Sequence, residues 1–301
     1  MTKIIIDTDP GTDDSLALMM ALNEPTLNIL GLTTVGGNAS LDHTTRNALD
    51  LLQHLGKSDV PIFKGCARPL QSRFSYAYDY HGPTGLTVRL PSSKTTPETI
   101  RAPDYIVSEA RSLPGKLIVL ALGPLTNIAT AIIKEPKVKN WIKGIVVMGG
   151  ALKVPGNITP HAEFNVYNDP VAAALVLSSG IPLTLVGLDV CNQVYVSRED
   201  LPWLSGVSKS ETLARIILAR WFAINSDSTV YKLFDPMALV ALLYPNMLAY
   251  RHAEITVETQ NQDRQGETIA NYGNGNVRVA TDVQVIESKE KIRNLLRDPS
   301  N

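Results

Sequence analysis

The sequence has little cysteine, no excess of charge of either sign and no long hydrophobic run. Its 301 residues include two cysteines, Cys66 and Cys191, which are far apart in the chain. Two distant cysteines do not form a disulfide framework, so we predict a reducing, cytoplasmic location. The chain has 28 basic and 29 acidic residues and a net charge of -1. This balance disfavours a nucleic-acid-binding surface, and we predict no nucleic-acid partner.

The apolar runs are too short to cross a bilayer. The longest, residues 238–243, follows a helical period and ends at Tyr244 and Pro245. A membrane-spanning helix needs roughly 20 apolar residues. The first residues also lack the basic, apolar and small-residue pattern of a secretory signal. We therefore predict no membrane partner.

Strand-like and helix-like segments alternate through the first two thirds of the chain. Predicted strands are 3–6, 29–35, 116–122, 145–148, 182–186, 254–259 and 277–280. Predicted helices are 15–22, 44–55, 97–112, 125–133, 168–177, 208–224, 235–243 and 289–297. Residues 66–96 and 153–165 show no period and are predicted to be irregular. The alternation predicts an α/β fold in which a single domain, residues 1–301, has a mainly parallel central sheet flanked by helices.

Four aspartates crowd the first predicted strand-to-helix connection, in the run IIIDTDPGTDD. They are Asp7, Asp9, Asp13 and Asp14. Carboxylates this close repel one another and raise one another's pKa. A helix cap and a turn account for one or two of them, but four indicate a bound cation or a proton-transfer site. Oxygen ligands of this kind suit calcium or magnesium.

Other polar or glycine-rich segments also follow predicted strands. Asn38, residues 123–127 and residues 148–150 each come directly after a strand end. Sites in parallel sheets form at the carboxyl ends of the strands. We therefore predict that these three segments and the aspartate run converge on one pocket.

One alternative interpretation depends only on the start of the aspartate run. A strand followed by Asp-x-Asp resembles the haloacid-dehalogenase-like phosphatases, in which Asp7 would be the nucleophile and magnesium the metal. That pattern has Thr or Val two positions after the second aspartate, where this chain has Gly11. It also lacks the pair Asp13 and Asp14 at this spacing.

The complete run DTDPGTDD resembles the N-terminal signature of the nucleoside hydrolases, which are calcium-dependent N-ribohydrolases. The resemblance continues through TTVGGN, TRNA, HGPTG, GPLTNIA, VMGG, GNITPHAEFN, VGLDV and DP, in the family's order. It implies hydrolysis of the N-glycosidic bond of ribonucleosides to free base and ribose, in purine and pyrimidine salvage. It also implies a homo-oligomer, a dimer or tetramer. A non-catalytic, calcium-dependent nucleoside- or ribose-binding protein is the second alternative.

The resemblance assigns roles to matching positions. It implies that Ca²⁺ is held by Asp9, Asp14, the main-chain carbonyl of Thr126, and Asp235. Asp9 would be the base that activates a calcium-bound water, and Asp7 would support the metal loop from behind. A carboxylate within hydrogen-bond reach of a water is suited to that task.

The same resemblance assigns the substrate contacts. They are Asp13, Asn165 and Asp235 at the ribose 2′ and 3′ hydroxyls, Asn157 and Glu163 at the 5′ hydroxyl, and Met148 beside the sugar. Asn38 matches a polar site residue. His81 and Asn165 join Asp9 as implied catalytic residues, although a surface-loop histidine is the alternative for His81.

Phe234 departs from one branch of the family. Members with broad specificity carry His before the last metal-ligand aspartate, where it is linked to protonating the departing base. A phenyl ring cannot donate a proton but can stack on a base. The purine-preferring branch has Trp at this position, so Phe234 favours purines. Core packing is the alternative for this residue.

Overall fold

The computed structural model describes residues 1–204 and 206–297. Within these ranges the strands are β1 (Thr2–Thr8), β2 (Leu27–Thr34), β3 (Ile62–Lys64), β4 (Leu117–Ala121), β5 (Ile142–Met148), β6 (Leu183–Val186), β7 (Tyr195–Ser197), β8 (Val230–Lys232), β9 (Leu248–Val257), β10 (Thr268–Tyr272) and β11 (Val277–Val283). The helices are α1 (Thr12–Asn23), α2 (Leu41–Leu55), α3 (Tyr78–His81), α4 (Ala102–Ser112), α5 (Thr126–Lys134), α6 (Val138–Trp141), α7 (Phe164–Asn168), α8 (Pro170–Leu177), α9 (Leu188–Cys191), α10 (Lys209–Ile224), α11 (Phe234–Leu243) and α12 (Val285–Leu296).

A large sheet runs through the described part of the chain in the order β10-β9-β11-β6-β5-β4-β1-β2-β3. From β11 to β3 every neighbouring pair is parallel, and β9 is antiparallel to both β10 and β11. The predicted α/β class with a mainly parallel sheet is confirmed. The strands β7 and β8 pair separately as a small antiparallel ribbon.

Both faces of the sheet are covered. Along β1, Ile4 and Ile6 belong to one apolar cluster and Ile5 to the other, because successive side chains of a strand point to opposite faces. Helices α1, α10, α11 and α12 pack together, while α4, α5, α6 and α8 form the other layer. The strand ends therefore lie between two helical layers, where side chains are shielded from water.

The predicted elements are largely confirmed, and the largest error in a helix start is at α4. Residues 97–101 are not helical, and α4 begins at Ala102 with Pro103 in its first turn. The N–H of Glu98 instead donates to the carbonyl of Ile62 (2.7 Å), forming an isolated bridge beside β3. Pairing with a sheet edge therefore prevails over helix initiation at Pro97.

The irregular segments and the termini add smaller differences. Residues 66–96 contain the short helix α3 but no strand, as their lack of a period predicts. The last helix begins at Val285, earlier than residue 289. No helix in the described ranges has the length and apolar content needed to span a membrane. The single domain over 1–301 stays a prediction.

Candidate active site

A cavity of about 480 Å³ opens at the carboxyl ends of the parallel strands. Asn38 after β2, Leu122 after β4 and Met148 at the end of β5 all line it. Asp13 near the start of α1 and Asp235 near the start of α11 complete the floor. The aspartate run, Asn38 and Met148 thus meet at one cavity as predicted, whereas residues 123–127 do not line it.

Asp14 holds the connection between β1 and α1 in shape. Its carboxylate accepts hydrogen bonds from the Thr8 hydroxyl (2.5 Å), the Asp9 N–H (3.2 Å), the Gly11 N–H (3.0 Å) and the Asn38 amide (2.9 Å). Asp14 is fully buried. A carboxylate with four donors remains ionised more readily than burial alone allows.

Asp9 lies beside this carboxylate, under the loop after β2. Its Oδ2 accepts from the Asn38 N–H (2.6 Å), and its Oδ1 is buried without a hydrogen-bond donor. A Cβ at either Gly37 or Gly123 would overlap the Asp9 carboxylate. The two glycines therefore let main chain close tightly around Asp9 and fix its direction. Asn38, whose role the sequence left open, ties Asp9 to Asp14.

Gly37→Ala tests this close fit. The added methyl group is expected to displace the Asp9 carboxylate, because a Cβ at position 37 would overlap Asp9 Oδ2. A misplaced catalytic group commonly costs about 10²-fold in rate. We expect a fall in kcat of that order for the activity proposed below, with the circular dichroism spectrum unchanged. An unchanged kcat would show that the position of Asp9 is not critical.

Three buried carboxylates meet in the floor of the cavity. Asp13, Asp14 and Asp235 each offer an oxygen within 4.8 Å of the others, and Oδ1 of Asp13 has no hydrogen-bond donor. Burial and the neighbouring Asp14 raise the pKa of Asp13 to about 8. Burial and the charges of Asp13, Asp14 and Asp9 raise the pKa of Asp235 well above its ordinary value. Burial is the larger cause of both shifts, and the neighbouring carboxylates add to it.

These residues fit a calcium ion. The donor set consists of oxygens, as a hard cation requires, and two buried carboxylate oxygens, on Asp9 and Asp13, lack donors. The carboxylate grouping contains Asp13 with Asp14 and Asp235, whereas the predicted ligand set contains Asp9. Asp9 remains adjacent, since its charge raises the pKa of Asp235.

Thr126, the predicted main-chain ligand, lies elsewhere. It is the first residue of α5, and its hydroxyl donates to Asp169 (2.7 Å). The main-chain group that follows β4 at the cavity is Leu122, and its carbonyl accepts from the Asn165 amide (2.7 Å). The main-chain ligand at Thr126 stays a prediction, and Leu122 is the residue after β4 that lines the cavity. No side-chain type marks such a ligand, so only the position after a strand could have indicated it.

Glu163 and Asn165 form one side of the cavity at the start of α7. Glu163 accepts from the N–H groups of Asn165 (2.9 Å), Gly150 (3.1 Å) and Val166 (3.2 Å). Burial raises its pKa, and these donors partly oppose the rise. Asn157 is exposed and its Oδ1 accepts from the Phe164 N–H (2.8 Å), which leaves its amide group available. The predicted ribose contacts, including Met148, thus line one continuous wall.

His81 is a buried site residue and not a surface-loop histidine. Its Nδ1 accepts from the Thr12 N–H (3.2 Å), so in the neutral ring Nε2 carries the proton. Burial lowers the pKa of His81 to about 3. A neutral imidazole donates a hydrogen bond from Nε2 but is a poor proton donor at neutral pH.

The remaining wall of the cavity is aromatic. Phe234, Tyr76, Tyr80 and Trp221 line it, and the rings of Tyr80 and Trp221 meet edge to face with centroids 5.1 Å apart. Tyr231 is fully buried behind this wall, against Trp221. Phe234 thus faces the cavity from the first turn of α11, as a base-stacking role requires.

Asp7 is separated from the cavity. It is fully buried, and its carboxylate accepts from the Thr33 hydroxyl (2.6 Å) and the Asn127 amide (2.8 Å). Asn127 in turn accepts from the Cys66 N–H (2.8 Å). Burial raises the pKa of Asp7 to about 7. The carboxylate supports the loops from behind, and a nucleophile there would have no access to a substrate.

Several cavity residues were not predicted from the sequence. They include Ala77, Asp79, Leu122, Ile158, Phe164, Ser228, Val230 and Lys232. Most lie in connections or in elements of three to five residues, which are too short to show a hydrophobic period. Lys232 stands two residues before Phe234 in the sequence.

The chain is similar to known proteins over most of its length. A sequence profile for "inosine-uridine preferring nucleoside hydrolase" matches residues 4–290. Uridine nucleosidase 1 of Arabidopsis thaliana is 39% identical over 265 residues, covering 86% of this chain and 79% of that protein.

Solved structures give the same result. A plant nucleoside hydrolase superposes with a TM-score of 0.93 at 32% identity, covering 99% of both chains. The purine-preferring ribonucleoside hydrolase of Gardnerella vaginalis gives 0.92 at 28% identity, covering 98% of both. The chain therefore belongs to the nucleoside hydrolase family.

Proposed function

We propose that this protein hydrolyses the N-glycosidic bond of ribonucleosides, releasing free base and ribose. The observation that carries the proposal is the Asp9 carboxylate, oriented by Asn38 and with one buried oxygen lacking a donor. It lies under a cavity whose floor is a cluster of carboxylates. Asp9 can therefore take a proton from water, and the carboxylate cluster can stabilise a positively charged transition state.

The ribose would occupy the polar side of the cavity. Asp13 and Asp235 would accept from its 2′ and 3′ hydroxyls, and Glu163 and Asn157 would hold the 5′ hydroxyl. Asn165 would also contact the ribose hydroxyls. Its amide nitrogen already donates to the Leu122 carbonyl, so its side-chain oxygen stays available to accept. Contacts along the whole sugar fix C1′ near Asp9, which is the positional requirement for attack by water.

The chemistry follows from where charge develops. Breaking a ribosyl bond builds positive charge on the sugar, as in other glycoside hydrolyses. The carboxylates of Asp13 and Asp235 stabilise that charge, while Asp9 removes the proton of the attacking water. Calcium, held by Asp14, Asp235, Asp9 and the Leu122 carbonyl, would lower the pKa of water and position it.

The preferred base is a narrower question. Relatives include uridine nucleosidase 1 of Arabidopsis thaliana and the purine-preferring hydrolase of Gardnerella vaginalis. The aromatic wall of Phe234, Tyr80 and Trp221 suits stacking on any base. A purine offers more ring area to Phe234 than a pyrimidine does, so purine selectivity stays our prediction.

Phe234→Ala measures the stacking contribution. We expect kcat/KM to fall for inosine and adenosine by roughly 10-fold, since an aromatic pair contributes about 0.5–1.5 kcal/mol beyond area burial. The fall for uridine should be smaller. Steady-state kinetics on the three nucleosides decide the matter, and a larger loss for uridine would overturn the stacking hypothesis.

Product analysis by chromatography tests the proposed function itself. Purified protein is incubated with inosine, adenosine, guanosine, cytidine and uridine, with added calcium or with chelator. Free base formed with calcium and not with chelator supports the proposal and its metal. Binding without turnover would favour the nucleoside-binding alternative. Phosphate release from phosphate esters would favour the phosphatase, although the buried Asp7 argues against that reaction.

Three further expectations accompany this proposal. We expect a homo-oligomer, a cytoplasmic location and a role in nucleoside salvage. The oligomer and the salvage role follow from the family resemblance and the location from the two distant cysteines, and each stays a prediction. Size-exclusion chromatography with light scattering measures the first directly.

A further inference from the structure

The proposed hydrolysis leaves the departing base without an evident cationic partner among Phe234 and His81. When the C1′–N bond breaks, its electron pair stays on the base nitrogen, and the base becomes negatively charged. Phe234 has no proton or charge to offer. The Nδ1 of His81 is occupied by the Thr12 N–H, which keeps that nitrogen an acceptor.

We propose that the Lys232 ammonium group stabilises the departing base. This inference rests on the proposed function and adds a catalytic group to it. Lys232 lines the cavity together with Val230, while Tyr231 between them is fully buried. The alternation is that of strand β8, whose successive side chains point to opposite sides. The strand thus places Lys232 and Val230 on the cavity side, next to Phe234.

The charge of Lys232 is distinctive within the site. Among the residues that the structure describes, it is the single lysine or arginine that lines the cavity. It belongs to none of the ion pairs found in the described ranges. The acidic residues Asp13, Asp79, Glu163 and Asp235 also line the cavity, and Asp79 is exposed. A half-buried ammonium without a fixed partner is free to donate to a ligand.

The reaction balances with this assignment. Water adds its oxygen to C1′, and Asp9 receives the water's proton. The base leaves with the bonding electron pair, and a Lys232 N–H donates a hydrogen bond to a ring nitrogen or carbonyl oxygen of the anion. Solvent supplies the base's proton after release, so Lys232 itself need not lose one. An ammonium group is a strong point charge for such a purpose.

Lys232→Met and Lys232→Arg test the assignment. Met keeps the length of the stem and removes the charge, whereas Arg keeps the charge. Lys143→Met is the matched control, because Lys143 is exposed at the amino end of β5, away from the cavity. Kinetics are measured on the ribonucleoside that the wild-type protein hydrolyses fastest, and on p-nitrophenyl riboside, whose leaving group is a stable anion.

We expect Lys232→Met to lose about 10²-fold in kcat on the nucleoside, in line with loss of one transition-state donor. The loss on p-nitrophenyl riboside should be less than about threefold, and Lys232→Arg should retain most of the nucleoside activity. Equal losses on both substrates would indicate a structural role and overturn the inference. So would a Lys232→Met enzyme within threefold of wild type on the nucleoside. An inactive wild-type protein would instead refute the proposed function.

Discussion

Asp9→Asn is expected to lose roughly 10³-fold in kcat while retaining much of its calcium affinity. Asn preserves the size of the side chain and can still accept the Asn38 N–H through its oxygen. It cannot take a proton from water, because an amide is not basic at neutral pH. The loss should therefore appear in turnover and not in the folding of the loop.

The comparison variant is Asp59→Asn, an exposed aspartate before β3. Its kcat and thermal midpoint should match those of the wild-type protein. Calcium binding is measured by isothermal titration calorimetry and turnover by product analysis. Near-wild-type turnover in Asp9→Asn would remove Asp9 as the base, and complete loss of calcium binding would make it chiefly a ligand.

Asp14→Asn is expected to abolish turnover at low calcium by a different route. The Asp14 carboxylate accepts from four donors, on Thr8, Asp9, Gly11 and Asn38. An amide group in either orientation turns N–H toward some of these donors. A buried donor left unsatisfied costs about 1–3 kcal/mol, so the free energy of unfolding should fall by that amount. Calcium affinity should fall by more than about 100-fold, because the change removes a charge from the cluster of Asp13, Asp14 and Asp235 and also loosens the loop that Asp14 holds.

Calcium titration separates this variant from the previous one. Raising the calcium concentration should partly restore the turnover and stability of Asp14→Asn by mass action, but not the turnover of Asp9→Asn. Asp42→Asn is the matched control, since Asp42 also lies in the first turn of a helix but is exposed beside Lys64. Calcium-independent turnover in Asp14→Asn would contradict the ligand assignment.

The sequence predicts the parts of the fold that have a hydrophobic period. Ile4, Ile5 and Ile6 form a short apolar run before polar residues, and that run becomes a strand buried on both faces. Residues 97–101 were wrongly predicted as helix because their pairing with β3 depends on a long-range contact. Local propensity carries no information about such a contact.

The site residues likewise include some that the sequence predicts and some that it does not. Asp13, Asp14, Glu163 and Asn165 were predicted by type and motif, and all four lie in or beneath the cavity wall. Thr126 does not line the cavity, and a main-chain ligand is hard to predict because any residue can supply a main-chain oxygen. Lys232 was not predicted because its direction depends on a three-residue strand, β8, too short to show a period.

The contact between α1 and α11 has a consequence for folding. These helices pack together, and they carry Asp14 and Asp235, which are brought together from opposite ends of the chain. The charge cluster therefore exists only after the carboxyl-terminal third has docked on the amino-terminal strand and helix. A cation bound there would stabilise the folded protein, because the unfolded chain lacks the site. Calcium would then help to hold the carboxyl-terminal third against the amino-terminal strand and helix.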